Sequence, residues 1–167
     1  MRTILTLFFL SAASINSFGQ WPANMYPDSL QYPFTLGVAS GDPQTDKVVL
    51  WTRVETPKNS VDIHWQISSD STFSNLVNEG TAQALAQHDH CVKIDATGLQ
   101  PGKEYFYRFS IDDGATSVTG HTKTLPEKTT EQFKLAVVSC SSVWAGFFNA
   151  NRIIANRPDI HFLISVG

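Results

Sequence analysis

The sequence predicts an all-β sandwich followed by the opening strands of an α/β unit, and three observations support that prediction. Short segments of alternating apolar and polar residues recur, separated by turn residues, through the middle of the chain. After a polar stretch at 126–132 the pattern changes to an apolar strand, a helical spacing and a second apolar strand. The composition, 42% hydrophobic and 16% charged over 167 residues, is that of a chain with enough apolar material to build a core.

The elements follow in order. Residues 1–19 have the form of a secretory signal peptide: Met1-Arg2-Thr3 is a short positive start, residues 4–13 are apolar, and Ser17-Phe18-Gly19 offers small residues for cleavage before Gln20. A membrane span needs ~20 apolar residues, and this run is about half that. The start contains a single arginine, Arg2, which indicates the general export route and not the twin-arginine one. The mature chain is therefore expected to be soluble and periplasmic or extracellular.

Between 33 and 125 the candidate strands are 34–38, 47–54, 61–67, 76–80, 91–96, 105–112 and 117–124. In the third, Val61, Ile63, Trp65 and Ile67 share one face; in the sixth, Tyr105, Tyr107, Phe109 and Ile111 do. Roughly seven short strands in about ninety residues fit a sandwich of the immunoglobulin or fibronectin type III kind. Trp65 lies where such sandwiches place a core tryptophan. The run Leu99-Gln100-Pro101-Gly102-Lys103-Glu104-Tyr105 has the form of a tyrosine corner, so both aromatic residues are assigned to packing.

Residues 126–132 read as a linker. Beyond it, 133–139 is a near-continuous apolar strand and Ser139 to Ser142 form a serine-rich loop. A helix over about 145–156 places Phe147, Ala150 and Ile154 on one face, Pro158-Asp159 ends it, and 160–166 returns as a strand. This is one β-α-β unit, the start of a parallel or mixed sheet. About thirty-five residues cannot cover both faces of such strands, so 133–167 is expected to be the incomplete beginning of a second domain.

Charge excludes some functions. A net charge of −3 with no run of Lys or Arg offers no nucleic-acid surface and no polybasic membrane anchor.

Chemistry-bearing residues are few. In parallel sheets, ligands and metals gather at the carboxyl ends of strands, and Cys140 closes the strand at 133–139. The only other cysteine is Cys91, and an oxidising compartment leaves a Cys91–Cys140 disulfide open as an alternative to metal ligation by Cys140, the reading preferred here. His88-Asp89-His90 reads as a polar turn before the 91–96 strand. The strand's alternation puts Cys91 on the face opposite Val92 and Ile94, as a surface or interdomain thiol. Asp42 in Ser40-Gly41-Asp42-Pro43 is a turn residue. Arg53 and Arg108 belong to a solvated sheet face, with docking of a second domain as the alternative. Ser139, Ser141 and Ser142 lack a Gly-x-Ser-x-Gly elbow and read as loop hydroxyls.

Several of these blocks resemble a known family. Phe34-Thr35-Leu36-Gly37-Val38-Ala39-Ser40-Gly41-Asp42-Pro43 and Val48-Val49-Leu50-Trp51-Thr52-Arg53 resemble the N-terminal domain of the PhoD-like phosphatases, the alkaline phosphatase D family. The likeness continues through His88 to Ile94, Gly98 to Gly102 and Tyr105 to Phe109, then into Val137-Val138-Ser139-Cys140, Gly146 to Ala150 and Pro158-Asp159. The resemblance implies a secreted hydrolase of phosphate mono- and diesters with a calcineurin-like metallophosphatase core using Fe(III) and calcium. It implies that Cys140 is an iron ligand and that Gly167 matches the glycine of a Gly-Asp-Tyr block. The block's aspartate would then come one residue later, with the remaining ligands and all substrate contacts.

Two departures follow from the same resemblance. The single Arg2 implies metal loading after export, and Ser165 stands where the family often has histidine. Within this chain no residue is expected to be catalytic, and the 167 residues alone are expected to be inactive and to bind no metal. The competing readings are a secreted fibronectin type III-like binding module, which leaves the β-α-β tail unexplained, and a purple acid phosphatase-like enzyme. The latter's core opens on an aspartate-rich motif where this chain has Ser139-Cys140-Ser141.

Overall fold

The computed structural model describes residues 29–128, 132–140 and 148–166. The signal-peptide reading for 1–19, part of the linker, Ser141, Ser142, the first turn of the expected helix and Gly167 lie outside the described residues.

Seven antiparallel strands make two sheets. β1 (Val38–Gly41), β2 (Lys47–Arg53) and β5 (Cys91–Thr97) form one, in the order β1-β2-β5. β3 (Ser60–Ser68), β4 (Leu76–Leu85), β6 (Glu104–Ser110) and β7 (Gly120–Lys123) form the other, in the order β4-β3-β6-β7. The inner faces follow from the period of two. Val48, Leu50 and Thr52 of β2 and Val92, Ile94 and Ala96 of β5 face Ile63, Trp65 and Ile67 of β3 and Tyr105, Tyr107 and Phe109 of β6, all buried. Each such apolar side chain contributes ~1.5–3 kcal/mol by leaving water, so this layer holds the domain together.

Both aromatic assignments hold. Trp65 is 8% exposed and lies across Gly80, its register partner on β4; a Cβ there would come within 2.9 Å of the indole Nε1. The Gln100 backbone N–H donates to the Tyr105 hydroxyl at 2.7 Å, closing the tyrosine corner. Thr124 pins the same loop, accepting from the Lys103 N–H at 3.0 Å and donating to the Gln100 carbonyl at 2.7 Å.

Three sandwich strands differ from expectation by three residues or more, and the others by one or two. Residues 34–38 do not form a strand. Phe34 is wholly buried, but in a turn whose backbone bonds run Phe34 N–H to Gln31 O and Gly37 N–H to Phe34 O, and pairing starts only at Val38. β4 runs five residues past the expected end, paired with β3 as far as Ser60↔Leu85. Of its residues only Ala84 is buried, and the half-buried inward positions Asn78, Gly80 and Ala82 are polar or small, so the sequence of this edge strand lacks the apolar–polar alternation that would announce it. β7 begins at Gly120 and not at 117, because Ser117 serves the turn: its N–H donates to the Phe109 carbonyl, and its hydroxyl accepts from the Phe109 N–H.

Asp70 organises the β3–β4 connection. Its carboxylate accepts from the backbone N–H groups of Thr72 (2.9 Å), Ser74 (3.2 Å) and Asn75 (2.8 Å). The Thr72 hydroxyl bond, with those backbone bonds, holds the carboxyl well below the usual aspartate range. A carboxyl depressed on folding stabilises above its unfolded pKa, and that stabilisation is lost as pH falls toward the folded value. Thermal unfolding of the wild type should therefore show an acid limb starting below about pH 4. Asp70→Asn should lower the midpoint at pH 7 and flatten that limb; an unchanged limb would remove Asp70 from the acid response.

The tail is a parallel pair, β8 (Leu135–Val138) and β9 (Phe162–Ser165), joined by a crossover that contains α1 (Asn149–Ala155). The expected β-α-β order is present, with shorter elements. No residue of α1 is buried, so the apolar stripe expected at Ala150 and Ile154 covers little among the described residues. On the sheet, Leu135, Val137, Leu163, Ile164 and Val166 are all exposed.

Candidate functional site

β8 is a run of Leu-Ala-Val-Val, residues suited to a pleated strand. Its chain direction carries Ser139 and Cys140 off the carboxyl end of the parallel pair. The backbone of Cys140 takes a left-handed conformation, φ 53°, uncommon for any residue with a Cβ, and the side chain is exposed. Pairing persists one residue beyond β9 through the Val166 N–H to the Val138 carbonyl, 3.0 Å. Cys140 thus stands at the mouth of the sheet, where ligands collect in parallel folds.

Both cysteines are free, so the Cys91–Cys140 disulfide is absent. Cys91 is half-buried on the outer face of β5, in register with Arg53, as its strand alternation indicated. Among the described residues no group of three or more His, Cys, Asp or Glu side chains converges, so the donors present fill at most two positions of a metal site. A ferric or calcium ion requires several anionic or oxygen donors, and the described residues do not fit such an ion on their own.

The other chemistry-bearing residues are structural. Asp89 turns back on Arg53, which grips it at 3.0 Å through Nε and 2.9 Å through a terminal guanidinium nitrogen; this hydrogen-bonded pairing lowers the Asp89 pKa and raises that of Arg53. His90 Nε2 lies 2.8 Å from the Lys58 carbonyl, and Asp89 and His90 both have left-handed backbones, the polar turn expected before β5. Arg108 donates twice to the Gln66 side-chain oxygen and stacks over Phe73 at 4.0 Å. Asp42 sits in a turn with φ 44°.

The cluster that sequence reasoning missed lies at the opposite, amino end of the β8–β9 pair. Asp159 accepts from Arg157 through Nε and a terminal nitrogen, both at 2.7 Å, and from Lys134 Nζ at 3.1 Å. Those bonds, Arg157's first, hold the Asp159 carboxyl far below its usual range. In the sequence Pro158-Asp159 signals a helix stop and a point of family likeness, neither of which indicates an ion pair; the pairing needs Lys134, 25 residues upstream, to be brought alongside. Beside this cluster a groove of about 530 Å³ runs between the sandwich and the tail, with Glu104, His121, Lys123, Arg157 and His161 among its lining. Its basic groups are already engaged, His121 and Lys123 with Glu104 and Arg157 with Asp159, and it opens at the end of the strands away from Cys140.

Comparison with known proteins places these features in context. The family model described as "PhoD-like phosphatase, N-terminal domain" matches residues 20–126. Alkaline phosphatase D of Bacillus subtilis (strain 168) is 39% identical over 151 residues, covering 84% of this chain and 26% of that protein. A solved structure titled "Structure of PhoD" superposes with a TM-score of 0.77 at 37% identity, over 85% of this chain and 29% of that one. Residues 1–126 make up less than 84% of the chain, so the likeness extends past the sandwich into the β8–α1–β9 unit. The chain spans about a quarter of the length of the curated relative that it matches.

Proposed function

The chain belongs to the PhoD-like phosphatase family, and from that premise we propose that it is the N-terminal part of a secreted, metal-dependent hydrolase of phosphate monoesters and diesters. Residues 1–19 are its signal peptide. Residues 33–125 are its fibronectin type III-like domain, a reading supported by the strand orders β1-β2-β5 and β4-β3-β6-β7. Residues 126–132 are the linker, and 133–167 begin the calcineurin-like metallophosphatase domain. No helix among the described residues is long and apolar enough to cross a membrane.

The observation that carries the reading is the position of Cys140: an exposed, unpaired thiol at the carboxyl end of the first parallel strand, in a chain from a phosphatase family. Its thiolate would hold Fe(III), with the further donors, and those for calcium, outside the described residues. Held there by Cys140 and those further donors, a ferric ion would supply charge able to polarise phosphoryl oxygens and lower the pKa of an attacking water. The chain's own part is to present the sulfur. The left-handed turn at Cys140 lifts it off the strand, and β8 and β9 fix where that turn begins.

The test uses the full gene product, purified after export and assayed on an aryl phosphate monoester and a diester, with metals measured in the same sample. Hydrolysis that follows iron content, and no activity from the 167 residues alone, is the expected result. An active enzyme free of iron would defeat the assignment of Cys140.

A further inference from the structure

We propose that the tyrosine-corner loop, together with Thr124, clamps the chain where it leaves the sandwich. The clamp fixes the direction of departure toward the second domain as far as Pro126; this rests on the reading of 126–132 as a linker between two domains.

Strand pairing alone does not hold this exit. β7 pairs with β6 only as far as Glu104↔Lys123, and a chain leaving its last partner ordinarily frays. Residues 124 and 125 bond instead to two loops. The Thr124 N–H donates to the Lys103 carbonyl at 3.0 Å, and its hydroxyl joins the Gln100 carbonyl to the Lys103 N–H. The Leu125 N–H donates to the Gln44 carbonyl in the β1–β2 connection, and its carbonyl accepts from the Gly102 N–H, both at 2.9 Å. A further bond, Leu99 N–H to the Asp46 carbonyl at 3.0 Å, ties the two loops to each other. Three segments distant in sequence thus meet at the exit.

Burial gives these bonds their weight. Thr124 is 2% exposed and Tyr105 3%, and a buried polar group that loses its partner costs more than an exposed one. Gly102, φ 67°, takes the left-handed turn that sets the loop against Pro126, whose Cα would lie 3.5 Å from a Cβ at Gly102. Pro126 extends the constraint: its ring fixes its own φ and disfavours the helical region for Leu125. Beyond it, Gly102, Leu125 and Pro126 share a cavity of about 190 Å³ with Phe133, His161 and Phe162, so the tail starts against the clamp. The superposition on the solved PhoD structure covers 85% of this chain, more than residues 1–126 make up, and only 29% of that one. Sandwich and tail therefore superpose together on a chain that is much longer.

The experiment takes the full gene product as wild type, Thr124→Val, Thr124→Ser and Tyr105→Phe. It measures hydrogen exchange at the Leu125 and Gly102 amides, with the Phe109 amide as reference for the sandwich core. In the wild type both clamp amides should be protected to within about tenfold of Phe109. In Thr124→Val they should exchange about tenfold faster while Phe109 is unchanged. Thr124→Ser keeps the hydroxyl and should retain most of the protection. Tyr105→Phe removes the acceptor of the Gln100 N–H and should lose part of it. Should Thr124→Val loosen Phe109 as well, Thr124→Ser and Tyr105→Phe carry the decision. Clamp amides that exchange like an unfolded chain in the wild type, or that do not respond in Thr124→Val, overturn the clamp. Trypsin cleavage after Lys128 reads the departure itself and should be about tenfold faster in Thr124→Val, leaving two fragments that resist further digestion. Cleavage at the wild-type rate overturns control of the departure. Fragments that are degraded on release overturn the linker reading, while the exchange data still decide the clamp.

Discussion

Gly120→Ala should destabilise the sandwich by about 1–3 kcal/mol, the usual cost of overpacking a filled site. In an unobstructed strand the sign would be opposite, since glycine costs roughly 0.5–1 kcal/mol relative to alanine through its extra freedom when unfolded. The reversal comes from Tyr107. It pairs with Gly120 across β6 and β7, and a Cβ at position 120 would fall 2.2 Å from the ring carbon Cζ, well inside contact distance. The ring has no room to retreat. Tyr107 is 2% exposed and packs edge-on against Phe109 with centroids 6.3 Å apart.

Thermal unfolding reads the effect directly, at about 4–8 °C per kcal/mol for a domain of this size. Gly41→Ala is the internal control, because nothing lies within 4 Å of its added carbon. Combining Tyr107→Leu with Gly120→Ala should cost less than the two changes summed, as expected of residues in direct contact. A midpoint equal to or above wild type for Gly120→Ala would show that β7 can move away from the ring, and the packing account would fail.

Cys140→Ala should remove iron from the full gene product and lower its hydrolysis of phosphate esters on the order of 100-fold or more, since losing even a supporting contact of a metal site costs 10–100-fold. The fold should be spared: Cys140 is exposed, makes no disulfide and lies beyond the last pairing residue of β8. The unfolding midpoint of the sandwich is therefore predicted to stay within error of wild type. Cys140→Ser separates thiolate ligation from a local hydrogen bond. The serine retains a polar group but should lose the visible band. An unchanged metal content in Cys140→Ala would mean that the strand-end thiol is not a ligand.

Membership of the PhoD-like phosphatases also bears on the competing readings. A stand-alone binding module leaves the likeness beyond residue 126 unexplained, whereas alkaline phosphatase D matches across that boundary.

How much was legible in the residues differs from strand to strand, and burial explains the difference. β2, β3, β5 and β6 each bury alternate residues under the facing sheet, so their positions could be read from the period alone. β4 is an edge strand with one buried residue, and it was read five residues short. At 34–38 a buried aromatic in a turn imitated a strand, because the core accepts Phe34 whatever its backbone does.

Local pattern, then, was enough to establish a two-layer β domain, a β-α-β tail, Trp65 and Tyr105 as core residues, and a cysteine closing a strand, since each depends on neighbours in the chain. The left-handed turn of Cys140, the convergence of Lys134, Arg157 and Asp159, and the ring that forbids a side chain at Gly120 emerged with the folded molecule alone. The last two depend on residues 13 and 25 positions apart meeting in space. Such meetings follow from strand pairing, which no short window of sequence encodes.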